Sequence, residues 1–121
     1  GAKHRIPLSS RAVEILKSIT SNRNPKEHVF SGWKRNTGLS NNAFLALLKK
    51  MQSSDITPHG FRSTFRDWAA EEAHQFPNET IELALAHTIK NKAEAAYRRG
   101  DQLERRRELM DAWAKYVELK V

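Results

Sequence analysis

Three side chains that suit anion binding lie on one face of a predicted helix. In "TPHGFRSTFRDW", His59, Arg62 and Arg66 are spaced i, i+3 and i+7, and residues at such spacings share a helix face. His59 and Arg62 also fall near the helix start, where free backbone N–H groups and the helix dipole favour an anion. Arg62 can hold two phosphate oxygens at once. The pattern predicts an anion site, but a His that caps its own helix and an Arg paired with Asp67 or Glu71 would look the same.

His87 and Tyr97 are the next residues that could take part in chemistry. His87 ends the apolar stretch "LALAH", so it either interacts with a helix C-terminus or presents a second imidazole to the same anion. Tyr97 follows ten residues later. A phenol has a pKa of about 10, so it attacks phosphorus only where cations or a base activate it and positive groups face the non-bridging oxygens. Taken alone, Tyr97 is either such a nucleophile or a half-buried aromatic.

The elements that must position these residues are mostly helices. The sequence predicts a mainly α, multi-helix fold with a short N-terminal strand over residues 3–8, "KHRIPL". Thr57 as N-cap with Pro58 at the first helical position is a favoured helix start. Five further helix starts are expected, from Ser9 or Ser10 through about Thr20, at Ser40, at Asn78, at Asn91 with Glu94, and at Asp101 with Glu104.

Apolar periodicity predicts which faces of these helices are buried. The expected core residues are Phe44, Leu47, Leu48 and Met51 in the second helix, Phe61, Phe65, Trp68 and Ala69 in the third, and Leu109, Trp113, Tyr116 and Val117 in the last. No internal repeat or linker interrupts them, so residues 1–121 are expected to form a single domain.

Composition favours a polyanionic partner. The chain has 21 Lys and Arg against 14 Asp and Glu, a net charge of +7, and neutralising phosphates releases condensed counterions. The absence of cysteine excludes a disulfide framework and thiol catalysis, and it fits a cytoplasmic protein. No apolar run of transmembrane length and no signal peptide is visible, so no membrane association is expected. The five histidines lack short metal-ligand spacing, so no metal is expected.

The combination of motifs resembles the C-terminal half of the tyrosine recombinase catalytic domain, particularly that of phage and genomic-island integrases. The stretches "HGFRSTFRDWA", "LALAH" and "AAYRRGDQLERRRELMDAWAKYV" match the family's ordered signature. That signature is His-x-x-Arg, then His or Trp after a Leu-(Gly/Ala) turn, then Tyr about ten residues later. "HRIPLS" looks like the strand that follows the family's catalytic lysine hairpin. Each motif is weak alone, but the ordered set is specific and covers essentially the whole chain.

The resemblance implies a role for each matching residue. Tyr97 would attack the scissile phosphodiester and form a 3′-phosphotyrosyl bond, and Arg62 would stabilise the transition state. His59 would hydrogen-bond the phosphate or shuttle a proton, and His87 would donate to a non-bridging oxygen. No metal or nucleotide cofactor would be required. Four basic residues are expected to bind DNA phosphates, namely Arg66, Lys92, Arg98 and Arg99.

The family's first catalytic arginine, its acidic neighbour and its catalytic lysine have no clear match. These residues precede "HRIPLS" in the family, and Lys3 is a poor substitute for the lysine. We therefore expect the chain to be a catalytic-domain fragment that is inactive alone, without the N-terminal DNA-binding domains.

The resemblance also implies partners and a place of action. The full-length protein would bind double-stranded attachment sites as a tetramer, in the bacterial cytoplasm at the nucleoid. Two alternatives stay open: a type IB topoisomerase-like nicking-closing domain, and a helical DNA-binding module without catalysis. Packing of the last helix against a neighbouring protomer is a further expectation, with intramolecular packing as the alternative.

Overall fold

A computed structural model describes residues 3–87 and 100–120 of the chain. Five α-helices form in this part: α1 (Ser10–Thr20), α2 (Ala43–Lys50), α3 (Pro58–Glu72), α4 (Asn78–Ala84) and α5 (Leu103–Lys120). The mainly α class is therefore confirmed. The expected helix beginning at Asn91 lies outside the described residues.

The chain divides into two compact units. Unit 1 comprises residues 1–9 and 62–121, and unit 2 comprises residues 10–61. The boundary at Arg62 lies within α3, so the first turn of this helix belongs to unit 2 and the rest to unit 1. The single-domain organisation stays a prediction.

Unit 1 has an aromatic core built from α3, α4 and α5. Trp68 and Trp113 pack with ring centroids 5.1 Å apart, and Phe65 meets Trp113 edge-on at 5.5 Å. Tyr116 stacks on Trp113, as expected of a core tyrosine. Leu109 is fully buried beside them. Within the described residues the last helix thus packs on its own chain through Leu109, Trp113 and Tyr116. The core prediction was wrong for Val117, which is 39% exposed near the end of α5.

Arg106 fixes the N-terminal segment of unit 1. The residue is 1% exposed, and its Nε and Nη1 donate to the carbonyls of Asp101 and Arg5 at 2.8 and 2.6 Å. The Arg5 guanidinium in turn donates to the Asp101 carboxylate at 2.8 Å. This hydrogen bond from Arg5, reinforced by the charges of Arg5 and Arg106, holds the pKa of Asp101 below its usual value of 3.8.

The predicted strand over residues 3–8 was wrong, since this segment is irregular. The backbone groups of a strand hydrogen-bond to a neighbouring strand, whereas the Arg5 carbonyl here accepts a hydrogen bond from the Arg106 side chain. The Ser31–Gly38 bridge is the β pairing found in the described part of the chain.

Unit 2 leaves most of its apolar side chains exposed. Leu48 is its one buried residue. The predicted core stripe of α2 was wrong for Phe44, Leu47 and Met51, which are 54%, 51% and 61% exposed. The prediction was also wrong for Phe61, which is 60% exposed. Periodicity identifies the apolar face of a helix, but it cannot show that another element covers that face.

Candidate functional site

Helix α3 begins as the sequence predicted. It starts at Pro58, and the Thr57 hydroxyl accepts a hydrogen bond from the Gly60 amide at 3.1 Å. This bond satisfies one of the amides that a helix start leaves unpaired. His59 lies in the first turn with its side chain exposed. It is therefore accessible to a ligand at the helix N-terminus, within unit 2.

Arg62 lies one turn further along α3 and connects this helix to the end of α4. Its Nη2 donates to the Leu85 carbonyl, and the contact is partly buried. Leu85 is the C-cap of α4 and precedes His87 by two residues. The guanidinium of Arg62 is thereby held at the end of α4 where the chain reaches His87.

Arg66 makes a second connection between the same two helices. Its Nη2 donates to the Asn78 side-chain oxygen at 2.8 Å, and its Nε lies 3.1 Å from Oε1 of Glu82. Arg66 is thus paired with the carboxylate of Glu82. Arg62, for which pairing with Asp67 or Glu71 was the alternative, instead donates to a backbone carbonyl. The expected helix start at Asn78 relied on its side chain as the cap, but the N-cap of α4 is Pro77 and the Asn78 side chain accepts a hydrogen bond from Arg66 instead.

The turn after α4 brings His87 back over its own helix. The Ala86 amide donates to the Leu83 carbonyl at 3.0 Å, and the His87 amide donates to the Glu82 carbonyl at 3.0 Å. Together with a φ of 57° at Ala86, these two bonds form a Schellman motif. A left-handed residue other than glycine costs about 1 kcal/mol, so a small residue before His87 suits this turn.

The Schellman turn places the His87 side chain against Glu82. Nδ1 of His87 contacts Oε2 of Glu82, while the other carboxylate oxygen faces Arg66. Glu82 is therefore shared between a guanidinium and an imidazole. The Glu82 side chain is 28% exposed and that of His87 is 47% exposed, so the cluster lies at the surface, where a ligand can reach the ring.

Unit 1 thus brings Arg62, Arg66 and His87 together where the side chains of α3 contact α4 and the turn that follows it. The other predicted site residues, Tyr97, Lys92, Arg98 and Arg99, lie outside the described residues. Convergence of His59 and Tyr97 with Arg62 and His87 stays a prediction. In the described ranges, no group of three or more His, Cys, Asp or Glu is arranged to hold a metal ion.

Sequence reasoning missed Glu82 and Asn78 as partners of the site. A signal for Glu82 was present, because in "ELALAH" a Glu precedes His by five residues across a Leu-Ala turn. A Schellman turn joins just these two positions by a backbone bond. The Asn78 contact had no such local signal, since Arg66 and Asn78 belong to different helices.

A basic hairpin in unit 2, residues 31–38, was also missed. Its ends pair through the Ser31–Gly38 bridge and a 2.8 Å bond from the Gly32 amide to the Thr37 carbonyl. Any Cβ at Gly32 would lie 2.0 Å from the Gly38 oxygen, so only glycine fits there. Trp33 at the hairpin is fully exposed, and Lys34 and Arg35 follow it, also exposed.

The comparisons with known proteins agree with these motifs. The sequence model of the phage integrase family matches residues 1–104. The chain is 32% identical to prophage integrase IntS of Escherichia coli K12 over 98% of its own length and 31% of that relative. It is 37% identical to prophage integrase IntA of the same strain, over 94% of the chain and 28% of that relative.

The integrase of Shigella phage Sf6 is 31% identical over 98% of the chain and 31% of its own length. The chain thus spans less than a third of the length of these relatives. No solved structure matches it. Among the described residues, no helix has the length and apolar character needed to cross a membrane. With a family match over most of its length and the ordered His, Arg, His and Tyr motifs, the chain belongs to the phage integrase family.

Proposed function

We propose that this chain is the C-terminal portion of the catalytic domain of a tyrosine recombinase that integrates DNA at specific sites. The observation that carries the proposal is the bond from Arg62 to the Leu85 carbonyl. It holds a guanidinium beside the turn that ends at His87, so two donors suited to phosphate oxygens lie at one end of α4. The family assignment supports the same chemistry.

In the proposed reaction, the Tyr97 oxygen attacks the scissile phosphorus. A bond forms from the tyrosine oxygen to phosphorus, and the bond from phosphorus to the 5′-oxygen of the next nucleotide breaks. Tyr97 loses its proton and the leaving 5′-oxygen gains one. Arg62 stabilises the charge on the non-bridging oxygens, where preorganised donors act most strongly. His87 donates to the same oxygens, and His59 binds the phosphate or carries a proton.

Attack by a 5′-hydroxyl of another strand on the phosphotyrosyl bond would complete strand exchange. The ester conserves the bond energy, so the reaction needs no nucleotide cofactor and no metal. The proposed partners are double-stranded attachment sites and three further copies of the full-length protein, acting at the bacterial nucleoid. The basic hairpin supports a DNA partner, because exposed Lys34 and Arg35 can neutralise phosphates.

The test compares Tyr97→Phe with Tyr116→Phe in a full-length recombinase that carries this chain. A suicide substrate, nicked so that the cleaved end is lost, traps the covalent protein–DNA adduct on a denaturing gel. Tyr97→Phe removes the attacking oxygen, so we expect no adduct and near-normal DNA binding. Tyr116→Phe makes the same chemical change in the core of unit 1, and it should leave adduct formation largely intact.

Adduct formation by the Tyr97→Phe protein would overturn the nucleophile assignment. A non-catalytic DNA-binding module would form no adduct even with the natural tyrosine. Relaxation of supercoiled plasmid without exchange between two sites would favour the topoisomerase-like alternative.

A further inference from the structure

Glu82 lies between Arg66 of α3 and His87, which follows α4. Oε1 of Glu82 faces Arg66 at 3.1 Å, and Oε2 contacts Nδ1 of His87. We infer that Glu82 is a positioning residue for His87, which keeps the ring hydrogen on Nδ1 and directs Nε2 toward the ligand. The effect of Glu82 on catalysis rests on the proposed function, whereas its effect on which nitrogen of His87 carries the hydrogen does not.

Arg66 determines how the Glu82 carboxylate is oriented. Every nitrogen of a guanidinium donates and none accepts, so Arg66 must face an oxygen. Its position is held a second time by the 2.8 Å bond to Asn78. Oε1 of Glu82 is thereby paired with Arg66, and Oε2 is the oxygen that contacts His87.

The second oxygen in turn determines the tautomer of His87. An ionised carboxylate only accepts hydrogen bonds, so Nδ1 must carry the hydrogen in this contact. The neutral ring then has a lone pair at Nε2, and the protonated ring has a donor there. Donation from Nε2 to a phosphate oxygen therefore requires the imidazolium, whose charge the Glu82 carboxylate balances at close range.

The same reasoning gives an unusual expectation for Glu82→Gln. The amide oxygen of the new side chain must still face Arg66, because Arg66 can only donate. Its NH2 group is then left facing Nδ1 of His87, and an NH2 group needs an acceptor there. The hydrogen of neutral His87 should therefore move from Nδ1 to Nε2, although the substitution barely changes the size of the side chain.

The first measurement uses long-range 1H–15N correlation spectra of the 121-residue chain, which report the hydrogen on each ring nitrogen. His87→Gln identifies the His87 signals. We expect the Nδ1–H form for the natural chain and for Glu82→Asp, and the Nε2–H form for Glu82→Gln. Glu72→Gln makes the same change at an exposed position at the end of α3 and should leave His87 as it is. An unchanged tautomer in Glu82→Gln would overturn the inference.

The second measurement is the rate of adduct formation in a full-length recombinase. Glu82→Gln replaces an ionic donor by a neutral one, and the difference in hydrogen-bond strength corresponds to a rate about tenfold lower. Glu82→Asp should restore much of the rate, since it keeps the carboxylate. An inverted tautomer with an unchanged rate would overturn the role in catalysis. Adduct formation by Tyr97→Phe would overturn the proposed function and leave the tautomer result untouched.

Discussion

The two units use their apolar residues in different ways. In unit 1, aromatic rings from α3 and α5 interlock around a fully buried Leu109, and α4 adds Ile81 at 3% exposure. In unit 2, α2 has an equally regular apolar face, yet Leu47 is 51% exposed. Periodicity is present in both units, but among the described residues the periodic face is buried in unit 1 and largely exposed in unit 2. Arg62 and His87, the two site residues that the α3–α4 contact positions, therefore lie on the unit whose apolar core is well packed.

The largest expected effect is on the free energy of unfolding, and it comes from comparing a Leu→Ala substitution in unit 1 with one in unit 2. Leu109→Ala and Leu47→Ala remove the same atoms from positions inside helices, so helix propensity cancels between them. Burial of Leu109 predicts a loss of about 2–5 kcal/mol in the free energy of unfolding. The half-exposed Leu47 should cost less than about 1 kcal/mol. Urea denaturation followed by circular dichroism measures both.

Equal losses for the two variants would contradict the comparison between the units. Such a result would mean that the apolar face of α2 is covered in solution, by a second copy of the chain or by another part of the protein. Sedimentation velocity of the natural chain then separates these cases, because self-association depends on concentration.

The second expected effect is on DNA affinity and its salt dependence, through the exposed positive charges of unit 2. Lys34→Ala with Arg35→Ala removes two exposed cations from the basic hairpin. If both contact phosphates, the slope of log K against log salt should fall by about 2. Affinity for a duplex at low salt should fall by at least about tenfold. Fluorescence anisotropy with a labelled duplex at several salt concentrations measures slope and affinity together.

The matched control for the hairpin is Arg11→Ala with Lys17→Ala in α1. It removes the same two residue types from the same unit, at exposed positions. Its effect should be limited to the change in net charge. If both double variants weaken binding equally, the hairpin has no specific contact with DNA.

Much of the helical fold followed from local signals in the sequence. The Thr57 cap and the Pro58 start act within a few residues of the chain, and both are visible in the structure. The site role of His59, Arg62 and His87 came from their order in the family signature and stays a prediction. The wrong predictions concern residues whose structure depends on a partner far away in the sequence. In the described part of the chain, no strand pairs with residues 3–8, and the Phe44 side chain is left 54% exposed. The role of Asn78 depends on Arg66 in another helix, which no pattern around Asn78 reveals.

The smallest effect tests whether the N-terminal segment belongs to unit 1 in solution. Arg5 lowers the pKa of Asp101 from 3.8, so the Asp101 carboxylate contributes stability above that pH and loses it as pH falls through the lower folded-state value. Asp101→Asn should therefore be slightly less stable than the natural chain at pH 7, and this difference in stability should close in acid, at a pH below 3.8 where the Asp101 carboxylate is protonated in both the folded and the unfolded chain. Because the Arg5–Asp101 pair is largely exposed, the effect is small. Urea midpoints at both pH values, with Asp111→Asn as the control on α5, measure it. A gap that persists in acid would mean that Asp101 acts through packing or helix capping, without help from Arg5.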